Sequence, residues 1–416
     1  MASPLGEIGW VYCWSTWGPV DMSTFNPRTF LNPDRLCTIS PSLLFQFLSN
    51  WKPFFDGKSF DLTPLTSSKP HYEKVAEVLL ASDGTMPADM VDALHYIDEM
   101  ARDDAIDALL ERAEDDGHTI TVTEDSSPAD AAIQVWQANP DLLIEVHAET
   151  LALKQQSFMY YAGKKTNRRD LMKHTPQEDS AIQSKVDDWF AQKRRGRGSR
   201  VFFFKNDKKV WIVIRHGKPM QREGSHNDDG STGIAFYRPQ EHDVLVYDRK
   251  HDEMGVNCSS RPLRDHYLEV IGEVLFGDRY YFDTAKKYTL APLASLGPSA
   301  LACNDVEGID WVRLTEIQIP HGGGFLIYKH DDVFNTEAAF ISTMLAMGAP
   351  FTRASFKMKF RHSKNPRTLN ILPSSVARYT QKGDSPAVEE WLKKRGFDIS
   401  EAVGGDDDGD EDLGRD

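Results

Sequence analysis

The spacing of apolar residues changes near residue 200, and this change constrains the fold more than any other feature of the chain. Before it, apolar side chains recur every three or four residues, as in MVDALHYIDEMA (90–101), which is typical of amphipathic helices. After it, apolar and polar residues alternate, as in ASFKMKFR (354–361), which is typical of half-buried strands. We therefore predict an α+β fold, with a helical N-terminal domain followed by a mixed, mainly antiparallel β-sheet domain with flanking helices.

The 416 residues are too many for one ordinary compact domain, so we expect at least two. In the helical part, a strand is predicted at TITVTED (119–125), and the last helix is expected to run from Asp141 toward Tyr161. The predicted segments are an irregular arm containing Trp and Pro at 1–65, a helical domain at 66–165, a basic connector with one helix at 166–200, an α+β domain at 201–398, and a disordered acidic tail at 399–416.

Two elements of the second domain have clear boundaries in the sequence. RVFFFKNDKKVWIVIRHG (200–217) predicts a hairpin that turns at Asn206-Asp207. The last helix is expected to begin at Ser385, with Pro386 in its first turn, and to stop at Gly396. The hairpin assignment rests on Asn and Asp, which favour turns, and the helix boundaries rest on Pro, which pre-sets the helical φ, and on Gly, which tolerates a positive φ.

Composition narrows the class of protein. A net charge of −15 argues against a protein that coats nucleic acid along its whole surface, although a local basic face remains compatible with it. No run approaches about 18 apolar residues, so we expect no membrane partner. The four cysteines lack a C-x-x-C pair and suit a cytoplasmic location without a zinc site.

A local motif suggests phosphate chemistry. Arg215-His216-Gly217 ends a strand-like run, SSRPLRD follows several tens of residues later, and IPHGGG supplies a further histidine. This set resembles the motifs of histidine phosphatases. The resemblance implies a phosphohydrolase with His216 as nucleophile, His321 as second histidine, and Arg215 and Arg264 as phosphate ligands.

The surroundings of this motif favour a different interpretation. The family places a helix between the first histidine and the second arginine motif, whereas this chain has two β-patterned runs there, TGIAFYR and DVLVYDR. We therefore favour a hairpin-end histidine and keep the phosphatase as an alternative, because a short motif counts only when its structural setting agrees.

A second alternative is a metal-dependent nuclease. Asp229 and Asp248 would hold Mg²⁺, the only cofactor considered for this chain, and Lys250 would orient a water. Asp-x-Lys is a common triplet, and these residues also fit solvated turns. No cofactor and no resident metal is otherwise predicted.

Two basic segments are candidates for phosphate contact. The connector KRRGRGSR intersperses arginines with glycine, and the strand 354–361 alternates an apolar side with a basic side. The strand lacks exposed aromatic residues for base stacking, so recognition of a base sequence is not implied. The candidate phosphate-contact residues are Arg194, Arg195, Arg197, Lys357, Lys359, Arg361 and Lys364.

No catalytic motif lies in a setting that supports it, so we do not assign an enzymatic activity. The leading hypothesis is a cytoplasmic binding or adaptor component with an unidentified protein partner and a weak, sequence-nonspecific contact with nucleic acid.

Overall fold

A computed structural model describes residues 27–67, 70–80, 85–123, 125–165, 169–206, 209–226, 230–284, 286–321, 323–336, 351–373, 375–380 and 385–400. The chain divides into two compact units, residues 1–144 and 145–416. Helices come first along the chain, and a large antiparallel sheet follows. The predicted α+β fold class is confirmed.

The first unit is helical. The apolar stripe predicted in residues 90–101 is buried, with Met90, Leu94 and Ile97 in the core. Residues 1–26 of the predicted arm lie outside the described residues, and its remainder forms short helices. The helices are α1 (Arg28–Leu31), α2 (Pro33–Leu36), α3 (Pro41–Leu48), α4 (Lys52–Gly57), α5 (Tyr72–Leu80), α6 (Ala88–Met100), α7 (Asp103–Asp115), α8 (Pro128–Ala138) and α9 (Pro140–Leu153), which continues into the second unit.

Asp130 connects two helices of the first unit. At the start of α8, the side chains of Ser127 and Asp130 form a reciprocal capping box with the backbone. The other oxygen of Asp130 accepts a hydrogen bond from the Ser40 backbone N–H at 2.8 Å, just before α3. One buried carboxylate therefore satisfies backbone groups at the beginnings of two helices.

Within the described residues, the second unit contains one eleven-stranded sheet and a separate two-stranded hairpin. The strands are β1 (Ser157–Gly163), β2 (Arg200–Asn206), β3 (Lys209–Gly217), β4 (Gln221–His226), β5 (Thr232–Tyr237), β6 (Gln240–Asp248), β7 (Glu253–Asn257), β8 (Phe282–Thr284), β9 (Ile309–His321), β10 (Gly324–Lys329), β11 (Arg353–Phe360), β12 (Arg367–Leu372) and β13 (Val376–Arg378). The large sheet has the order β10-β9-β11-β12-β13-β1-β7-β6-β3-β2, with β8 beside β1, and β4 pairs with β5 alone.

Among the described residues, five α-helices accompany this sheet. Two of them, α10 and α11, belong to a core cluster with one face of the sheet, and α14 belongs to the cluster on the opposite face. They are α10 (Pro176–Gln192), α11 (Arg261–Phe276), α12 (Ala291–Ser295), α13 (Val333–Thr336) and α14 (Ser385–Lys394).

The sheet has two faces because side chains alternate along each strand. In β3, Ile212 packs against α10 and α11, whereas its neighbour Trp211 packs into the cluster that contains α14. We call these the α10/α11 face and the α14 face. Strands β1, β6, β3 and β2 contribute to both clusters. Together with β7, whose Met254 and Val256 enter the α10/α11 cluster, they form the sandwiched half; strands β10, β9, β11, β12 and β13 contribute to the α14 face alone and form the open half.

Several sequence-based assignments are confirmed. The hairpin 200–217 forms with Asn206 opposite Lys209. The last helix begins at Ser385 and is followed by Gly396 with a φ of 73°. TGIAFYR and DVLVYDR are both strands, although β5 pairs with β4 and not with β6.

Two assignments are wrong. The helix expected to reach Tyr161 ends at Leu153, and Ser157–Gly163 forms β1 instead. This strand pairs with β7 and β13, more than 90 residues away in sequence, so its pairing is invisible to a local pattern. Residues 119–123 form no strand, since they pair with no strand among the described residues. The predicted acidic tail lies outside the described residues from 401 onward.

Candidate nucleic-acid interface

The histidine of the Arg-His-Gly motif is buried at the end of β3. The Nε2 of His216 lies 2.8 Å from Asp243 Oδ2, and its Nδ1 lies 3.0 Å from the carbonyl oxygen of Gly217. Tyr267 donates to the same Asp243 oxygen at 2.7 Å, and the Phe190 ring stacks on the imidazole at 4.1 Å. Both ring nitrogens face acceptors, so His216 is held in place by its partners and is only 3% exposed.

The two arginines of the motif, Arg215 and Arg264, lie on different sides of the sheet. Arg215 points to the face opposite His216, as alternation requires, and its guanidinium lies 6.0 Å from the Phe202 ring centroid. Arg264 lies on α11, on the His216 side, and its hydrogen bond and charge act on the Tyr161 hydroxyl. Burial is the main cause that raises the pKa of Tyr161, and Arg264 opposes it. Arg215 and His216 therefore do not face one phosphate.

The second histidine lies far from the first. His321 ends β9 and is exposed, and six strands separate β9 from β3 in the sheet. Seven strand-to-strand steps of about 4.8 Å place the two histidines roughly 34 Å apart across the sheet. The histidine-phosphatase arrangement needs both imidazoles at a common phosphate, and this sheet order does not provide it.

The candidate residues of the metal-dependent nuclease do not form a metal site among the described residues. Asp229 lies outside the described residues. Asp248 accepts hydrogen bonds from the backbone N–H groups of Lys250 and His251 at 2.9 and 3.2 Å, so it closes a turn. The Lys250 side chain is exposed. Within the described ranges, no group of three or more His, Cys, Asp and Glu side chains is placed to hold a metal ion.

The basic connector follows α10 and partly folds back on it. The guanidinium of Arg195 lies 5.9 Å from the Trp189 ring centroid, and Arg197 pairs with Asp188 at 3.0 Å. Arg194 is exposed and has a positive φ of 58°. Two of the three candidate arginines, Arg195 and Arg197, thus contact side chains of α10. The connector is therefore a weaker candidate for a continuous phosphate-binding segment.

Strand β11 shows the two-sided pattern that the sequence predicted. Phe356, Met358 and Phe360 are buried in the core of the α14 face. Lys357 and Lys359 point to the other side, where Lys357 is exposed and Lys359 is half-buried. The strand therefore presents cations on the open half of the sheet, opposite to its core.

Strand β9 supplies an aromatic side chain that the sequence analysis did not connect with this strand. Trp311 lies directly opposite Lys359, and Arg313 lies directly opposite Lys357. The Arg313 guanidinium covers the Trp311 ring at 4.5 Å from its centroid. Only the register of β9 against β11 places these four side chains together. The alternation in WVRLTEIQI was the available signal, but it does not say which strand lies alongside.

These residues form part of a larger exposed surface, which we call the basic face. It consists of the outward-pointing residues Trp311, Arg313, Arg353, Lys357, Lys359 and Arg378. Its acidic neighbours are fewer: Glu316 lies 3.5 Å from Arg353, and Asp331 lies 3.7 Å from Lys357. The Lys357–Asp331 contact joins exposed side chains and is weak in water, so an incoming phosphate can replace the Asp331 carboxylate, whereas the Glu316 side chain is only 12% exposed.

The remaining candidates extend the basic face past the end of β11. Arg361 is exposed and lies 3.5 Å from Asp310, and Lys364 is exposed in the turn toward β12. Lys359 Nζ donates to the backbone carbonyl oxygens of Ser363 and Lys364, which anchors this turn. Strand and turn together give a row of cations about one strand length long.

The opposite, α14 face carries buried charges that are paired within the protein. Lys287 Nζ lies 2.5 Å from Glu253, and Lys209 Nζ lies 2.6 Å from Glu389 of α14. Burial opposes the charge of Lys287, yet the neighbouring Tyr160 and Glu253 raise its pKa above the usual value. These ion pairs attach α14 and the segment before α12 to the sheet, and they are not open to a large ligand.

A groove of about 310 Å³ runs between α10 and α11. Ion pairs cross its walls, with Lys185 at 3.1 Å from Glu273 and Arg279 at 2.6 Å from Glu269. Because cations and anions neutralise each other here, the groove selects neither sign of ligand charge. The basic face is therefore the better candidate for an anionic ligand.

No protein-family profile matches the chain, and no curated protein matches it significantly. Over the residues that the structure describes, no helix is long and apolar enough to span a lipid bilayer.

Proposed function

We propose that this protein is a non-enzymatic binding protein whose basic face contacts the phosphate backbone of single-stranded nucleic acid. The observation that carries the proposal is the strand register that sets Trp311 beside Lys359 and Arg313 beside Lys357 on an exposed sheet surface. Proteins that bind single strands without sequence preference combine cations for the backbone with aromatic or guanidinium planes for the bases.

The charge balance predicts the character of this binding. The whole chain carries a formal charge of −15, so long-range repulsion opposes the approach of a polyanion. Attraction comes from a small number of side chains on one surface. We therefore expect weak, sequence-indifferent binding with a steep dependence on salt, because each neutralised phosphate releases counterions.

The test measures affinity against salt concentration. A labelled oligonucleotide of about 16 nucleotides spans one such surface, and fluorescence anisotropy gives its Kd across a series of NaCl concentrations. Replacing Lys357 and Lys359 together by alanine should reduce the slope of log affinity against log salt by about 1.4, since each single-strand phosphate contact contributes about 0.7.

The matched control is the double variant Lys173→Ala, Lys250→Ala, which removes the same charge from exposed positions elsewhere in the second unit. It should keep the slope of the unmodified protein. An equal loss of slope in both double variants would assign the effect to net charge alone and refute the role of the basic face. Absence of any binding by the unmodified protein at low salt would refute the function itself.

A protein partner, the leading expectation from the sequence, is a second proposal that one observation favours. Strand β10 lies at the end of the sheet order, and its Phe325 and Ile327 are 58% and 52% exposed. A terminal strand with outward apolar side chains suits an extended peptide that adds a further strand.

A photo-crosslinking residue at position 325 should capture one partner reproducibly, whereas the same residue at Tyr280, which is 68% exposed, should not. Identical products at both positions would contradict this proposal.

A further inference from the structure

The turn between β6 and β7 contains a hydrogen-bonded relay that the functions proposed above do not use. Asp248 Oδ2 lies 2.8 Å from His251 Nδ1. The other ring nitrogen, His251 Nε2, lies 2.8 Å from the Nζ of Lys393 on α14. His251 is only 8% exposed, whereas Lys393 is exposed. The Asp248 carboxylate, the His251 imidazole and the Lys393 amine are thus connected by successive hydrogen bonds, and Lys393 lies at the protein surface.

The partners determine which atoms carry protons. Burial opposes the charge of Asp248, but the hydrogen bond and charge of His251, with Lys209 and Lys287, lower its pKa. The carboxylate is therefore an acceptor, and His251 Nδ1 donates to it. This leaves the lone pair of Nε2 directed at Lys393, whose ammonium donates. A nucleophile within hydrogen-bond reach of a base, with the base oriented by a third group, is the arrangement that activates side chains for covalent chemistry.

Other lysines of the second unit have different partners. Lys209, Lys287 and Lys394 each contact a carboxylate, at 2.6, 2.5 and 2.6 Å. A carboxylate stabilises the ammonium form and so disfavours the free amine. An imidazole nitrogen instead accepts the proton that the lysine must lose before its nitrogen can attack an electrophile.

We propose that Lys393 is an acyl-acceptor site that reacts with acyl thioesters, with His251 as general base and Asp248 as the residue that positions it. Amines attack thioester carbonyls without a further cofactor, and the product is a stable amide. The exposed position of Lys393 lets a thioester approach from solvent.

The reaction balances as follows in atoms and protons. The Lys393 ammonium passes one proton to His251 Nε2 and from there to solvent. The free amine attacks the thioester carbonyl carbon, and a C–N bond forms. The C–S bond then breaks, and the thiolate takes the second proton released by the nitrogen, again through His251. The products are an acylated lysine and a free thiol, with no oxidation or reduction.

The experiment incubates the full chain with acetyl-coenzyme A and follows each lysine by quantitative peptide mass spectrometry. Lys394 is the internal control, because it is the next residue on the same helix, is exposed, and pairs with Glu390. We expect acylation of Lys393 to be at least about a hundredfold faster than that of Lys394, the lower end of what a positioned base supplies.

Two variants test the relay. His251→Gln and Asp248→Asn should each bring the Lys393 rate down to that of Lys394 while leaving the Lys394 rate unchanged. A loss of stability that exposes both lysines would also equalise the two rates, but it would raise the Lys394 rate by breaking its pair with Glu390, so the unchanged Lys394 rate distinguishes loss of the relay from unfolding. Equal rates at Lys393 and Lys394 in the unmodified protein, or an unchanged ratio in His251→Gln, would overturn the proposal. Binding of an oligonucleotide should be unaffected in both variants, which separates this site from the basic face.

Discussion

The sandwiched half and the open half of the large sheet share the same alternation of side chains but differ on one face. In the sandwiched half, residues on both sides of β3 and β6 enter a core cluster. In the open half, the side opposite the core of β11 carries Lys357 and Lys359 instead. A polar group that faces a helix must find an internal partner, whereas one that faces water can exchange that partner for a ligand.

His216 and Lys357 illustrate the difference. Each lies on a strand of the same sheet, and each contacts an acidic residue, Asp243 at 2.8 Å and Asp331 at 3.7 Å. The first pair is almost fully buried, while Lys357 and Asp331 are 46% and 93% exposed. The buried pair therefore contributes to the fold, and the exposed pair is available for binding.

The largest expected effect comes from breaking the buried pair. His216→Ala should lower the free energy of unfolding by about 3–5 kcal/mol, because it leaves the Asp243 charge buried without its main partner. Lys357→Ala should change it by at most about 1 kcal/mol. Urea unfolding of both variants measures the contrast. Similar small changes in both would show that burial does not distinguish the two halves.

A pH effect should also be confined to the sandwiched half. The pKa of His242 is lowered to about 4 by burial, and further by the charges of Arg215 and His216. The unfolded chain therefore binds this proton more readily, so stability is present above about pH 6.5 and is lost as the pH falls toward 4.

Replacing His242 by glutamine should remove this part of the pH dependence. Between pH 7 and pH 4 the variant should lose less stability than the unmodified protein, by at most about 3 kcal/mol. Replacing the exposed His362 by glutamine is the control and should leave the pH profile as it was. Denaturant midpoints across this range provide the measurement, and parallel profiles for all three proteins would contradict the expectation.

In the open half, Trp311 should matter for binding. Trp311→Ala should weaken oligonucleotide binding by about 1–3 kcal/mol if one base stacks on this side chain, while the salt slope stays constant. The control is Tyr280→Ala, an exposed aromatic residue outside the basic face. If Trp311→Ala changed the slope of log affinity against log salt but left the affinity at a fixed salt concentration unchanged, the result would argue against base stacking on Trp311.

The smallest effect should come from the acidic C-terminal segment. We expect its charged residues to compete with phosphates for the cations of the basic face, so deleting residues 405–416 should raise the affinity modestly at low salt. The gain should vanish at high salt, where both attractions are screened. A gain that persists at high salt would contradict an electrostatic origin.

The order of helices before strands, the hairpin at 200–217 and the alternation in β11 could all be predicted from the sequence. In each case the signal is local: a repeat of 3.6 or 2 residues, or a residue that favours a turn. β1 could not be predicted, because its tendency to be a strand comes from β7 and β13. The motif around His216 was placed correctly in a hairpin, while Asp243, its partner, lies 27 positions away, and Tyr267, which contacts the same carboxylate, lies farther still.

The sequence by itself determined which residues of each strand share a side, since alternation along a strand is a property of its own backbone. It thereby set Lys357 and Lys359 opposite Phe356 and Met358. The tertiary structure alone decided that Trp311 lies beside Lys359, that His321 lies far from His216, and that His251 meets Lys393. These relations depend on strand order and helix packing, which arise from burial summed over distant residues and leave no mark on a short stretch of sequence.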